Sequence, residues 1–345
     1  MPNIPDGRPT IFKRFALHWS RFWFEPTSPG PVCLFRIFFG ILALVNGLLY
    51  MPDFLTWFGA QGAAPMEAIQ KIHPAPWLTF LLWWKPGDAF FAALLFTYLV
   101  ATFFVIIGLR TQFSLIVVWL LLISFYQRNP EMWHHVDILL RIFALALVFA
   151  PAGEMYSVDS WLKDPPSPPR RFAPWAQRLI QFQMCMVYLE AFCGKMGGEK
   201  WRSGSAVYYA THFPDGMRTA VPAFLDHGWF YSSMTYFTLG IEFCLCFLVW
   251  YRPWRYWILL VGLIFHLGIH YFLNLDLLEF GIMITYICFL DPPDIERAFR
   301  FFKASPPVAA EESNITEEEC SPNLQSGSTS PVSELPDGPL DSEHA

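Results

Sequence analysis

VCLFRIFFGILALVNGLLYM, residues 32–51, is a twenty-residue run in which Arg36 is the single charged group. At about 1.5 Å per residue such a helix spans about 30 Å, the thickness of a bilayer's hydrocarbon core. Further apolar runs follow at about 89–109 and 112–126, joined by the short turn LRTQ. Others lie at about 136–151, 175–194, 229–250, 256–273 and 277–291. The runs are continuous, not the alternating ten-residue segments of a transmembrane barrel. The reading is an all-α polytopic transmembrane helical bundle of about eight spans.

Composition agrees. The chain is 54% hydrophobic and 18% aromatic, with a mean hydropathy of +0.34. Charged residues make up 15%, against about 25% in a soluble domain. The formal charge is −6, but residues 311–345 hold many acids and no Lys or Arg. The apolar part is therefore close to neutral, and no basic patch suggests nucleic acid. The seven cysteines include no CxxC pair, which argues against a disulfide framework or a thioredoxin-like site. The opening MPNIPDGRPTIFKRF has no apolar core before Phe15. It does not read as a cleavable signal peptide, so the first span would do the targeting.

Four regions follow. Residues 1–31 mix Lys13, Arg14 and Arg21 with Phe12, Phe15, Trp19, Phe22 and Trp23, as an interfacial helix does. Residues 32–291 are the transmembrane domain. Residues 292–303 form a short amphipathic segment. Residues 304–345 have the acidic, Ser- and Pro-rich composition of a disordered tail. The loop after the first span carries Trp57, Trp77, Trp83 and Trp84 and is expected to fold back on the headgroups. With the N-terminus inside, basic residues favour the inner side about two to one. That puts both termini in the cytoplasm and the loop after Lys195 on the outer side. Short loops point to a bacterial inner membrane.

Ionisable groups within spans cost about 2.5–3.5 kcal/mol on insertion scales and usually need partners. Arg36, Arg141, Glu190, Glu242, His266 and His270 are the ones to place. The plain reading pairs Arg36 or Arg141 with Glu190 or Glu242. The functional reading is a polar chamber open to one side. His266 and His270 share a helix face, as ligands of a metal or haem would, and Glu279 or His212 would have to join them. His134 and His135 lie near Asp137 at the outer end of the fourth span. Lys195 follows an apolar helix and sits among Gly194, Gly197 and Gly198. A lysine at a partly dry helix end loses its proton more easily and can act as a base. The alternative is that it snorkels to the headgroups.

AFCGKMGGEKWRSGSAVYYA, residues 191–210, resembles the pattern AGxxKLxGxxWxxG of the HTTM family, the membrane-domain superfamily that includes vitamin K-dependent γ-glutamyl carboxylases. RNPEMWHHVDILLRIFALALVFAPAGEMYSVD, residues 128–159, resembles its segment with a D-x-L-L-R core and a terminal [WY]S-[VL]-D. VCLFRIFFGIL resembles its opening, and FHLGIHYFLNLDLLEFGIM its last helices, with His266 at the family histidine. The match runs from about Phe15 to Asp291. In the carboxylases the motif lysine deprotonates vitamin K hydroquinone. Oxygen then yields a strong alkoxide base that takes a γ-proton from glutamate, and CO2 traps the carbanion.

The resemblance implies a carboxylase-like enzyme with Lys195 as base and His135 and His266 as hydrogen-bonding catalytic groups. Glu190, Trp201, Arg36 and Arg141 would line the ligand pocket. It implies reduced vitamin K or menaquinone as cofactor, no metal, and the lipid bilayer and a lipophilic small molecule as partners. Four departures stand out. Met196 replaces the family leucine and Phe192 a small residue. The carboxylase histidine aligns without gaps to Val136, one residue from His135. No stretch here corresponds to the carboxylases' large extracellular part, so a partner protein would supply it. Two other readings stay open: a non-catalytic immunity, assembly or export factor that shares the fold, and a bis-histidine haem protein.

Overall fold

The computed structural model describes residues 11–302, apart from Ala64, Met66, Glu67, Gln70, residues 72–86, Trp133, residues 164–169 and Asp276. The first ten residues of the lead-in, Trp77, Trp83 and Trp84, the centre of the proline-rich linker, Lys303 and the tail 304–345 lie outside the described residues.

Among the described residues the chain is helical, with two isolated bridges and no strand. Helix α1, Ile11–Phe24, buries none of its side chains. Phe22 and Trp23 at its end pack on Phe182, and Phe22 also meets Trp250. Helix α2, Gly30–Tyr50, carries Pro31 in its first turn, where its fixed φ and missing N–H are tolerated. A short α3, Phe54–Phe58, follows. Helix α4, Asp88–Ile107, ends at Gly108 with φ 69°, a left-handed cap that glycine adopts without strain. Helix α5, Thr111–Arg128, begins at once. Asp159 caps it from 48 residues away, accepting from the Arg110 and Thr111 backbone N–H groups at 2.7 Å each.

Helix α6, His135–Phe149, opens with a capping box in which Asp137 accepts from the His134 backbone N–H at 2.8 Å. Asp159 belongs to the one-turn helix α7, Val158–Trp161. Helix α8, Trp175–Gly197, is followed by α9, Glu199–Arg202, and α10, Ala206–His212. Helices α11, Gly228–Phe247, and α12, Arg252–Phe272, form a pair. Helix α13, Leu278–Met283, tightens into a 3-10 stretch, Ile284–Phe289, before α14, Pro292–Phe302.

Helix α2 is central. It packs on α4, on α6 and on the Ile284–Phe289 stretch. A Cβ on Gly40 would lie 3.1 Å from the Ile106 backbone nitrogen, so glycine is what lets α2 and α4 come this close. A second seam joins α8 to α11. Phe35, Phe39, Phe143, Leu140, Leu147 and Ile180 are almost fully buried in the shared core.

One expectation, the count of eight spans, is not confirmed, and another changes. Among the described residues, five segments are long and apolar enough to cross a membrane: Gly30–Phe58, Asp88–Ile107, Thr111–Arg128, Gly228–Trp250 and Arg252–Phe272. The other three runs read as spans fall short for separate reasons. Helix α6 has 15 residues and Leu278–Phe289 is shorter still. Helix α8 has 23, but Gln177, Arg178, Gln181, Gln183, Glu190 and Lys195 dilute its apolar character.

The arginines, too, do not pair with Glu190 or Glu242. Arg36 is fully buried and donates to the Ala152 carbonyl at 2.8 Å and to the Tyr156 carbonyl at 2.5 Å. Chain that has left a helix has carbonyls to spare, and a guanidinium forms charge-assisted bonds to them. Arg141 donates to the Asp137 carbonyl at 3.2 Å and stacks over the Tyr126 ring at 3.9 Å.

Candidate functional site

Residues seven apart lie two turns apart on one helix face. On α8 that places Tyr188 beneath Lys195, both turned toward α11 to α13. The Lys195 ammonium donates to Glu242 Oε1 on α11 at 2.5 Å. The Lys195 side chain is 24% exposed and Glu242 is buried, so the pair stands at the edge of the interior. Trp201, on α9, closes over it with the ammonium 5.3 Å from the ring. Gly198 allows this fold-back: its N–H caps the Lys195 carbonyl at 2.9 Å, and a Cβ there would press on the Trp201 indole at 3.1 Å. Among the described residues, Glu242 Oε2 is buried with no hydrogen-bond partner. A buried carboxylate oxygen left in that state is costly.

A chain of buried side chains lies next to this pair. The Tyr188 hydroxyl is 2.6 Å from His266 Nε2 and 2.6 Å from the Tyr286 hydroxyl. His266 Nδ1 contacts Glu279 Oε2. With a neutral imidazole the directions follow: Nδ1–H donates to Glu279, Nε2 accepts from Tyr188, and Tyr188 accepts from Tyr286. Both ring nitrogens of His266 are thus engaged. Four elements, α8, α12, α13 and the Ile284–Phe289 stretch, each contribute one member. Glu242 lies within electrostatic reach of His266 and Glu279.

The structure therefore brings Lys195 and Trp201 together and sets His266 in the adjoining polar chain. Glu190 is exposed on α8, and the polar partner of Lys195 is Glu242. His135 is exposed in the first turn of α6, while its neighbour Val136 is the buried one. Arg36 and Arg141 hold the backbone contacts described above. His270 meets Arg218 at 2.9 Å and packs its ring edge-on against Phe280. Among the described residues no three His, Cys, Asp or Glu side chains group as metal ligands.

Reading the sequence for paired charges missed Glu242 as the partner of Lys195. It also missed Tyr188 and Tyr286, whose hydroxyls carry no charge to flag them. The seven-residue step from Tyr188 to Lys195 was the available signal.

The helical bundle, the five apolar segments among the described residues and a part-buried polar site where the end of α8 meets α11 define a multi-pass integral membrane protein. The HTTM domain model matches residues 24–293, most of the chain, and the chain belongs to that family. No curated protein and no solved structure matches it.

Proposed function

We propose that this protein binds a lipophilic, quinone-like molecule beside Lys195 and Glu242 and acts on it as the carboxylases of its superfamily do, with Lys195 as base. The observation that carries this reading is the unpartnered, buried Glu242 Oε2 next to a lysine that is shielded but still reachable. A reduced naphthoquinone fits that donor set. Its ring hydroxyl supplies the hydrogen-bond donor that Glu242 Oε2 lacks, and Trp201 supplies an aromatic wall.

Such a cofactor, when bound, would supply the reducing power for oxygen-dependent proton removal from a substrate glutamate. The chain's own residues do the rest. Glu242 holds Lys195 in place and orients its amine. Trp201 limits water around the Lys195 side chain. His266, fixed by Glu279, sets the Tyr188 hydroxyl as a hydrogen-bonding group beneath the site. We place this site on the outer side of a bacterial inner membrane with both termini cytoplasmic, an arrangement that requires the three shorter or more polar runs, α6, α8 and Leu278–Phe289, to cross as well. A partner protein there would present the substrate.

The test is mass spectrometry of bound lipid on protein supplied with menaquinol, comparing wild type with Lys195→Ala. Retention by wild type and loss from folded mutant supports the reading, and labelled CO2 incorporation then tests turnover. If neither form retains the lipid, the fold is shared without the chemistry, and an immunity, assembly or export role becomes the better account.

A further inference from the structure

The first turns of α8 and α12 meet in a cluster of arginines that the Lys195 site does not use. Arg178 stands about 25 Å along α8 from Lys195, close to the thickness of a hydrocarbon core. Its guanidinium stacks over the Phe22 ring at 4.4 Å and donates to the Phe22 carbonyl at 3.3 Å and to Gln181 Oε1 at 2.9 Å. Gln181 in turn donates to the Cys288 carbonyl at 2.6 Å, and Arg255 on α12 donates to the next carbonyl, Phe289, at 3.3 Å. Arg255 is held further by the Val249 carbonyl and by Asp291 Oδ1, each at 3.2 Å, and Arg252 approaches the same Asp291 oxygen at 3.5 Å. The charges that act on Arg178 are those of Arg255 and Arg252, of like sign, and of Asp291, of opposite sign. Three guanidiniums thus share one carboxylate. Among the described residues, Nη2 of Arg178, Nη2 of Arg255 and Nε of Arg252 donate no hydrogen bond. The Arg255 side chain is 12% exposed and fixed in place, whereas that of Arg252 is 78% exposed.

Beside the cluster, Phe22, Trp23, Phe182 and Trp250 pack ring on ring, with centroids 5.3 to 6.0 Å apart. Phe182 lies one turn from Arg178 on the same face of α8 and keeps 37% of its surface exposed. We propose that Arg178, Arg252 and Arg255 bind the phosphate of an anionic phospholipid whose acyl chain runs over Phe182 and Trp250. Guanidinium forks match phosphate oxygens in pairs, and basic pockets between helices at a membrane face take such headgroups. Asp291 cancels one of the three positive charges and anchors Arg255; the remaining excess of two, and the uncommitted N–H groups, are what an anionic headgroup meets. A choline headgroup brings its own positive charge to the arginines, so it is disfavoured. The aromatic face is the reason for a lipid source, because a soluble phosphate leaves it unused. The site does not rest on the proposed chemistry at Lys195.

The probes are phosphatidylglycerol, phosphatidylcholine with the same acyl chains, and inorganic phosphate as a competitor. Full-length protein in a non-ionic detergent is titrated with each lipid, and native mass spectrometry counts the molecules bound. Wild type is expected to hold one phosphatidylglycerol per chain, at least about fivefold more tightly than phosphatidylcholine. Arg252→Gln should weaken that binding about fivefold, the worth of one arginine near a membrane surface. Arg178→Gln should weaken it by at least as much. Arg14→Gln removes the same charge from the exposed part of α1, outside the cluster, and should change binding less than about twofold. Equal binding of the two lipids, or an Arg252 variant no weaker than the Arg14 variant, would overturn the proposal. Displacement of phosphatidylglycerol by an equimolar amount of inorganic phosphate would overturn the lipid source and assign the arginines to a soluble phosphate. Arg252 is mostly exposed, so its variant keeps the proposal testable if Arg178→Gln does not fold.

Discussion

The Lys195–Glu242 pair makes a quantitative prediction because its two ends are buried to different degrees. At 2.5 Å and an effective dielectric of 20, the bare attraction is about 6 to 7 kcal/mol. Lys195 keeps a quarter of its side chain in contact with solvent, so screening removes much of that. Lys195→Met leaves a buried carboxylate with both oxygens unpartnered and is expected to cost about 3–5 kcal/mol. Glu242→Leu frees an ammonium that can turn outward, so about 2 kcal/mol is expected. The double variant removes both charges and should cost no more than about 1–3 kcal/mol, since a hydrophobic replacement of a buried pair is often near neutral. The single effects together, about 5–7 kcal/mol, would then exceed the double by roughly 2–6 kcal/mol. Equilibrium unfolding in mixed SDS and non-ionic micelles measures all four corners of the cycle. If the single effects add to the double within about 0.5 kcal/mol, the two side chains do not interact, and the site as drawn is wrong.

Three further outcomes follow from the packing. Tyr188→Phe should cost about 1–3 kcal/mol in the same unfolding assay, because His266 Nε2 then lies buried without a partner; no change would mean that the His266 chain is not formed. In Gly262→Ala the new methyl would sit 2.8 Å from the Tyr286 hydroxyl and 3.0 Å from Leu245, so overpacking of about 1–3 kcal/mol is expected, with a lower thermal midpoint as the readout. Asp159→Ala should cost about 1–2 kcal/mol by uncapping α5, whereas Arg110→Gly, at φ 45°, should be neutral or stabilising by roughly 1 kcal/mol; the opposite order in a melting series would remove Asp159 as the cap.

The bundle was legible because burial in lipid demands runs such as residues 88–107, and few other folds tolerate them. Helix α8 was harder. Its Gln177 and Gln181 side chains both donate to the Cys288 carbonyl, so its polarity serves packing against the final 3-10 stretch. Sequence shows the glutamines but not a partner more than a hundred residues away. The same limit governs the charges. Arg36 was expected to seek a carboxylate, but the Ala152–Tyr156 turn offers carbonyls, which every residue has and which no composition reveals. At the candidate site Lys195 and His266 stood out by type and spacing, and Trp201 through the family resemblance. Glu242 stood out as well but was matched to the wrong partner, because charge alone does not tell which helix faces which. Val136, not His135, faces inward; the two are adjacent, and a helix turns by about 100° between them.

The Arg36 contacts have a consequence for synthesis. The carbonyls that hold this guanidinium lie 116 and 120 residues further along the chain. At about 5–20 residues per second they leave the ribosome roughly 6–24 s after Arg36 does. Throughout that delay the first apolar helix carries an unsatisfied charge near its beginning, so it gains little by settling fully into lipid. Helix α2 would linger at the insertion machinery, or rest with Arg36 at the headgroups, until the Ala152–Tyr156 turn arrives. Nascent chains arrested before Ala152 should then still crosslink to the translocon through α2, and chains arrested well beyond Tyr156 should not. A single buried side chain thereby sets the order in which the bundle closes.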